Sequence, residues 1–159
     1  MQVTLKFLYL LSLIFWIGSI FFFSLITAPS IFKVLPRNLA GDLVSDIFPK
    51  YYLIAYICGG IALITSCILW FKEKPGVSPL LKIVILLIML GLAVYAGGVI
   101  RPQALEARTE MKSLAEDSPR YLEVHDRFQK LHKRSVIMNS AVFLMGIAIV
   151  LITAYTYRE

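Results

Sequence analysis

Residues Pro119–Asn139 read PRYLEVHDRFQKLHKRSVIMN, and they run without a breaker into SAVFLMGIAIVLITAYTY, ending at Tyr157. The polar part keeps helical spacing. His125, Phe128, His132, Ser135 and Asn139 recur at intervals of three and four, which places them on one helical face. Val142, Gly146 and Ile149 carry that face on into the apolar part. A polar stripe that enters hydrocarbon needs partners, because each unsatisfied polar group there costs several kcal/mol. One continuous helix that is half hydrophilic and half lipid-soluble therefore fixes the fold class. The other segments are the surfaces that must meet its stripe.

Outward from this helix, three more apolar runs are visible: Leu5–Ala28, Tyr51–Phe71 and Leu80–Ile100. Each matches the roughly 20 residues needed to span a bilayer at 1.5 Å per residue. Hydrophobic residues make up 58% of the 159-residue chain, and the mean hydropathy is +0.76. The first run is too long for the apolar core of a signal peptide and lacks a small-residue cleavage site, so it reads as a retained span. Lys6 and Lys82 sit near run ends, where their ammonium groups can reach headgroups.

The expected architecture is an all-α membrane protein, a four-transmembrane-helix antiparallel bundle forming a single domain. Its spans are 5–28, 51–71, 80–100 and 136–157. A short amphipathic helix, 37–48, lies at the interface between helices 1 and 2, with Leu39, Leu43, Ile47 and Phe48 on one face and Pro49 ending it. Pro29 marks the end of the first regular span. Helices 3 and 4 extend into a cytoplasmic helical hairpin, 101–135, turning at Asp117-Ser118-Pro119. There Ser118 is an N-cap and Pro119 the first helical residue.

Charge placement orients the chain. Eleven of the sixteen basic residues fall in the two long connections: Lys33, Arg37, Lys50, Arg101, Arg108, Lys112, Arg120, Arg127, Lys130, Lys133 and Arg134. The positive-inside rule puts both connections in the cytoplasm and both termini outside, in a bacterial inner membrane. Anionic headgroups are the partners such a distribution implies. No nucleic-acid motif is present. Cys58 and Cys67, nine positions apart on one helix, are about 13 Å apart and cannot form a disulfide.

On the first helix Ser12, Phe15, Ser19 and Phe22 form a stripe, with Trp16 and Gly18 beside it. On the third, Gly91, Gly97 and Gly98 predict close backbone approach. Tyr51 and Tyr52 form an aromatic belt at the entry to the second span. Pairing about the hairpin turn sets Arg108 against Arg127 and Arg101 against Arg134. Acids must come between them, and docking of the 37–48 helix at the hairpin base brings Asp42 and Asp46 towards Arg101, Arg108 or His132.

His125 and His132 are separated by about 10.5 Å along the helix axis, whereas two ligands of one zinc or copper ion lie within 3 to 4 Å of each other. One helix cannot clamp one ion with this pair. His132 is the candidate for a single metal or haem contact, though an interfacial hydrogen bond suits it better. Asn139, about one turn inside the bilayer, either bonds across helices or lines a polar entry. No hydrolase triad, acid dyad, phosphate loop or HExxH occurs, which disfavours enzyme chemistry. The binding cluster expected from the sequence is Arg37, Asp42, Asp46, Arg101, His132, Ser135 and Asn139. Trp16, Tyr51, Arg108, Tyr121 and His125 are secondary candidates.

Motifs along the chain carry a resemblance. These are Trp16-x-Gly18, then Leu35-Pro36-Arg37…Gly41…Phe48-Pro49-x-Tyr51, then Pro102, Asp117-x-Pro119-x-Tyr121 and Phe128…His132-x-x-Ser135…Asn139. Together they resemble the transmembrane protein 205-like family, also described as domain of unknown function 4149. The family's eukaryotic member is associated with tolerance to platinum drugs. The resemblance implies a four-helix membrane protein; the polar cluster at the cytoplasmic interface makes binding or moving a small solute or metal species the expected function. Helix 1 and its exit are also distantly similar to copper-resistance D and HemJ-type membrane proteins, which gives haem- or copper-binding as the alternative. A third reading is a scaffold whose basic hairpin binds a partner. Four helices rarely enclose a pathway alone, so transport implies a homodimer.

Overall fold

The computed structural model describes residues 2–72 and 77–156. Six α-helices follow one another: α1 Gln2–Phe21, α2 Ala28–Val34, α3 Arg37–Lys72, α4 Val77–Tyr95, α5 Arg101–Lys112 and α6 Pro119–Thr156. Wide π-helical turns, Phe22–Thr27 and Ala96–Ile100, join α1 to α2 and α4 to α5. The result is four long helices, Gln2–Val34, Arg37–Lys72, Ser78–Lys112 and Pro119–Thr156, each long and apolar enough to cross a membrane. Ile14, Leu25, Ile64, Leu144 and Leu151 remain exposed on their outer faces, as a lipid-facing surface requires. Residues 73–76, the end of the fourth span at Tyr157, and Arg158 lie outside the described residues.

Prolines shape these helices in ways the sequence only partly announced. Pro29 does not end the first helix, which continues to Val34; Leu35 breaks it, in an extended conformation (φ −103°, ψ 147°). The residue before a proline is pushed out of the α region, and Pro36 follows Leu35. Pro29 is accommodated because the preceding turn widens, so that the Ala28 N–H reaches back five residues to the Phe23 carbonyl. The same device precedes Pro102, where the Arg101 N–H bonds the Ala96 carbonyl. A proline ring in a regular helix collides with the carbonyl four residues back. Those carbonyls, of Leu25 and Gly98, both lie inside the widened turns.

Pro49 is also not a terminus. The 37–48 segment and the second span form the single helix α3, with Pro49 inside it. Phe23, Phe48, Tyr51 and Tyr52 stack around this point with centroids 5.3 to 6.3 Å apart. Such pairs contribute about 0.5–1.5 kcal/mol each, enough to offset much of the roughly 3 kcal/mol a helix-interior proline costs.

In the bundle α1 packs on α3, α3 on α4, α4 on α6, and α6 returns to α1. Tyr9, Leu13, Trp16 and Ile20 of α1 meet Ala55 and Ala62 of α3, Leu86, Met89 and Ala93 of α4, and Val142 and Ile149 of α6. This corrects the expected α1 stripe. Ser12 is buried, but Phe15 and Phe22 point outward, and the Ser12 and Ser19 hydroxyls donate to carbonyls of their own helix, at Tyr9 and Trp16. Lys82 is likewise not extended to the outside but is buried, with its ammonium 5.9 Å from the centre of the Tyr9 ring.

Beyond the apolar spans, α5 packs against the first half of α6 as the expected hairpin. Ser118 caps α6, its hydroxyl accepting from the Tyr121 N–H at 3.1 Å. Arg120 binds Glu110 at 2.7 Å and Arg127 approaches Glu106 at 3.4 Å across the hairpin. Arg120 and Arg127 are thus each answered by an acid of the opposite arm.

Candidate functional site

Asn139 is the hub. Its amide oxygen accepts a hydrogen bond from the Tyr51 hydroxyl, and its amide nitrogen donates to the Ser24 hydroxyl at 3.0 Å. Three helices supply these groups: α6 gives the amide, α3 the phenol, and the π-helical turn after α1 the serine. Each polar side-chain atom of the trio thereby has a partner, which is what an amide in an apolar bundle requires.

Beside the trio lies a cavity lined by Trp16, Tyr51, Tyr52, Ala96, Met138 and Asn139, among others. Its enclosed part is about 10 Å³, room for about one water molecule, and it opens to the outside of the bundle. Trp16, 1% exposed, forms the apolar floor. Tyr52 stacks on Tyr56 at 6.2 Å. Ser135 and Arg101 lie close enough to Tyr52 to act on its hydroxyl, and Arg101 also acts on Tyr56. A glycine is needed opposite these rings. A β-carbon at Gly97 would sit 2.1 Å from the Tyr56 hydroxyl oxygen and 2.8 Å from the Tyr52 ring. Both π-helical turns border this region, Ser24 coming from one and Ala96 from the other. Such widened turns recur at functional sites.

A second polar cluster joins the start of α3 to the hairpin. Arg108, with only 17% of its side chain exposed, donates to the Asn38 carbonyl at 2.7 Å and to Asp42 at 3.1 Å. Lys112 reaches the same carboxylate at 2.6 Å. The guanidinium lies directly over Gly41, where a β-carbon would fall 1.6 Å from Arg108 Nη1. Lys112 above all, with Arg108 beside it, holds the Asp42 carboxyl below its ordinary 3.8.

The residues expected to form one cluster therefore form two, and some join neither. Asn139 lines the cavity with Tyr51 and Trp16, and Ser135 and Arg101 lie near Tyr52 without lining it. Asp42 and Arg108 make the hairpin clasp, as the docking expectation required. Asp46 is exposed and pairs with Lys50 on its own helix at 2.6 Å, and Arg37 is exposed at the start of α3. Tyr121 belongs to the capped turn and stacks on His125 at 6.0 Å.

Both histidines are exposed; His132 stacks on Phe128 at 6.3 Å, and His125 faces Gln129 at 3.2 Å. This corrects the expected stripe. Leu131 takes the inward position on α6, and His132, about 100° further round the helix, looks away. Among the described residues no group of three or more His, Cys, Asp or Glu converges. The residues at or beside the cavity to which sequence reasoning assigned no site role are Ser24, Tyr52 and Gly97. Their only advance signals were the tyrosine pair ahead of the second span and the glycine pair in the third.

Comparison with known proteins adds a family. A 54-residue segment, 34% of this chain, is 46% identical to a protein of Aquifex aeolicus (strain VF5) described as uncharacterized. That segment spans 39% of the relative's length. No solved structure matches the chain. The family model described as "Domain of unknown function (DUF4149)" matches residues 11–113. It takes in Trp16, Ser24, Gly41, Tyr51, Gly97, Arg101 and Arg108, and stops short of Ser135 and Asn139. With most of its length covered by that model, the chain belongs to the DUF4149 family.

Proposed function

We propose that this protein binds a small, uncharged organic solute at the Trp16–Tyr51–Tyr52–Asn139 cavity and passes it across the membrane. The observation that carries this is the hydrogen-bonded trio of Ser24, Tyr51 and Asn139 at the wall of an otherwise aromatic and apolar cavity. An amide and hydroxyls fix the orientation of a polar group, while aromatic faces bury an apolar body. Among the described residues no carboxylate or thiolate lines the cavity, so an uncharged solute fits the chemistry better than a metal ion. The excess of basic residues in the two long connections favours placing the hairpin in the cytoplasm.

A partner-binding scaffold is less well supported. Arg120, Arg127 and Lys130, the hairpin cations it would use, already carry acids of this chain: Glu110 and Glu123, Glu106, and Asp126.

The test uses the two tryptophans. In a Trp70→Phe variant, fluorescence reports on Trp16 alone, and a panel of small amides, alcohols and phenols is titrated against it. Saturable quenching that Asn139→Leu abolishes, together with solute-dependent swelling of proteoliposomes, supports the reading. No saturable response from any class, or a response indifferent to Asn139, defeats it. Native mass spectrometry of the same preparation reports whether a second copy is needed to complete the pathway.

A further inference from the structure

The ion pairs at the hairpin end of the bundle divide its cations into two sets. Every residue of the two long connections is described. Lys50, Arg108, Lys112, Arg120, Arg127 and Lys130 each meet a carboxylate of this chain. Among the described residues Lys33, Arg37, Arg101, Lys133 and Arg134 form no ion pair. The pairs occupy Asp42, Asp46, Glu106, Glu110, Glu123 and Asp126. The acids left over in these connections, Glu116 and Asp117, lie in the turn after α5, beyond about 16 Å of helix from Arg101.

Arg101 stands apart within the unpaired set. Lys33, Arg37, Lys133 and Arg134 are exposed, as side chains reaching out to water are, whereas Arg101 is half-buried. It follows Gly97 by four residues, and a β-carbon at Gly97 would collide with the Tyr56 hydroxyl and the Tyr52 ring. One turn beyond that contact, Arg101 acts electrostatically on both phenols. Ser135 comes to the Tyr52 hydroxyl from α6. Tyr56 is half-buried too, and its hydroxyl makes no hydrogen bond among the described residues. A guanidinium without an acid and a phenol without an acceptor thus lie together where α3, α5 and α6 meet. A charge drawn back from water needs a counter-charge, and the end of an apolar run is the level at which headgroups supply one.

We propose that Arg101 anchors a binding site for the phosphate of an anionic phospholipid headgroup. The guanidinium fork takes two phosphate oxygens, and the Tyr56 hydroxyl donates to a third. Arg134, the residue before Ser135 on α6, supplies a second charge that favours an anionic lipid over a zwitterionic one. Exposed Leu53 and Ile57 of α3 and Val94 of α4 suit acyl chains. The site adjoins the solute cavity through Tyr52 but needs no solute, and it stands or falls separately from solute binding.

Native mass spectrometry of the delipidated full-length protein tests this with three probes: short-chain phosphatidylglycerol, short-chain phosphatidylcholine and inorganic phosphate. Phosphatidylglycerol is expected to be retained in preference to phosphatidylcholine, and inorganic phosphate not to displace it. Arg101→Gln should weaken retention on the order of tenfold. Arg101→Lys, which keeps the charge but not the fork, should fall between. Because Arg101 holds no acid of the chain in place, both variants should melt as the parent protein does. Arg127→Gln, whose arginine already carries Glu106, should leave retention unchanged. Equal retention of the two lipids, unaltered retention in Arg101→Gln, an equal loss in Arg127→Gln, or displacement by millimolar phosphate each overturns the lipid site. The last result would assign Arg101 to a free oxyanion instead.

Discussion

The Tyr51 hydroxyl donates to the Asn139 amide oxygen across 88 positions of sequence, tying the second span to the fourth at the wall of the cavity. Packing between helices gains nothing from hydrophobicity in lipid, because acyl chains are as apolar as leucine; van der Waals fit and such polar ties decide the arrangement. A double-mutant cycle of Tyr51→Phe and Asn139→Leu, read by unfolding in mixed detergent micelles, should give a coupling of about 0.6 to 1.7 kcal/mol. Additive effects would mean that the bond contributes nothing to the fold.

Gly97 predicts a contrast with other glycines of the spans. A methyl group there meets the Tyr56 hydroxyl and the Tyr52 ring, whereas at Gly60 or Gly91 it meets nothing within 4 Å. Gly97→Ala should destabilise by about 1–3 kcal/mol through overpacking and diminish solute quenching of Trp16. Gly60→Ala should be neutral or stabilising by up to about 1 kcal/mol, as a helix-interior glycine is replaced. Adding Tyr56→Phe to Gly97→Ala, which removes the nearest clashing atom, should restore part of the loss in thermal denaturation.

The clasp between α3 and the hairpin should respond to acid. Bonded first by Lys112 and then by Arg108, Asp42 titrates below 3.8 in the folded chain, while in the unfolded chain it titrates near its ordinary value. A group with a depressed folded value stabilises fully above the unfolded value and stops doing so as pH falls through the folded one. Amide hydrogen exchange at Arg37–Ser45, corrected for intrinsic rates, should therefore accelerate below about pH 4. Asp42→Asn should show the faster exchange at every pH, with the acid-dependent step removed.

Gly41 belongs to the same clasp. Gly41→Ala displaces the Arg108 guanidinium from the Asn38 carbonyl and from Asp42, and Arg108→Lys removes the planar fork that reaches both. Either change should raise proteolysis at the Leu35-Pro36 connection several-fold, which corresponds to about 1 kcal/mol, without altering solute binding at Trp16.

His132 offers the opposite expectation. It is exposed and stacks only on a neighbour one turn away on its own helix, so His132→Ala should change stability by no more than about 0.5 kcal/mol. Solute quenching at Trp16 should also be retained. Loss of binding in this variant would move the site from the cavity to the surface of the hairpin.

Much of the architecture follows from the order of the residues alone. Four apolar runs of spanning length, a capped restart at Ser118-Pro119 and an uninterrupted pattern beyond it dictate four spans and a hairpin. Each of these features is local, set by hydropathy and by which backbone groups a residue can satisfy. Asn139 was legible for the same reason, since an amide below the membrane surface must be answered from another helix. The identity of its partners, Ser24 and Tyr51, was not local. Nor was the rotation that turns Leu131 inward and His132 outward, because residues seven apart drift by about 20° on a straight helix, and only contact with α5 fixes the phase. Pro29 and Pro49 read as helix ends because a proline withdraws a hydrogen bond. The widened turn before Pro29, and the rings packed around Pro49, let the helices continue, and neither is visible until the neighbouring spans are in place.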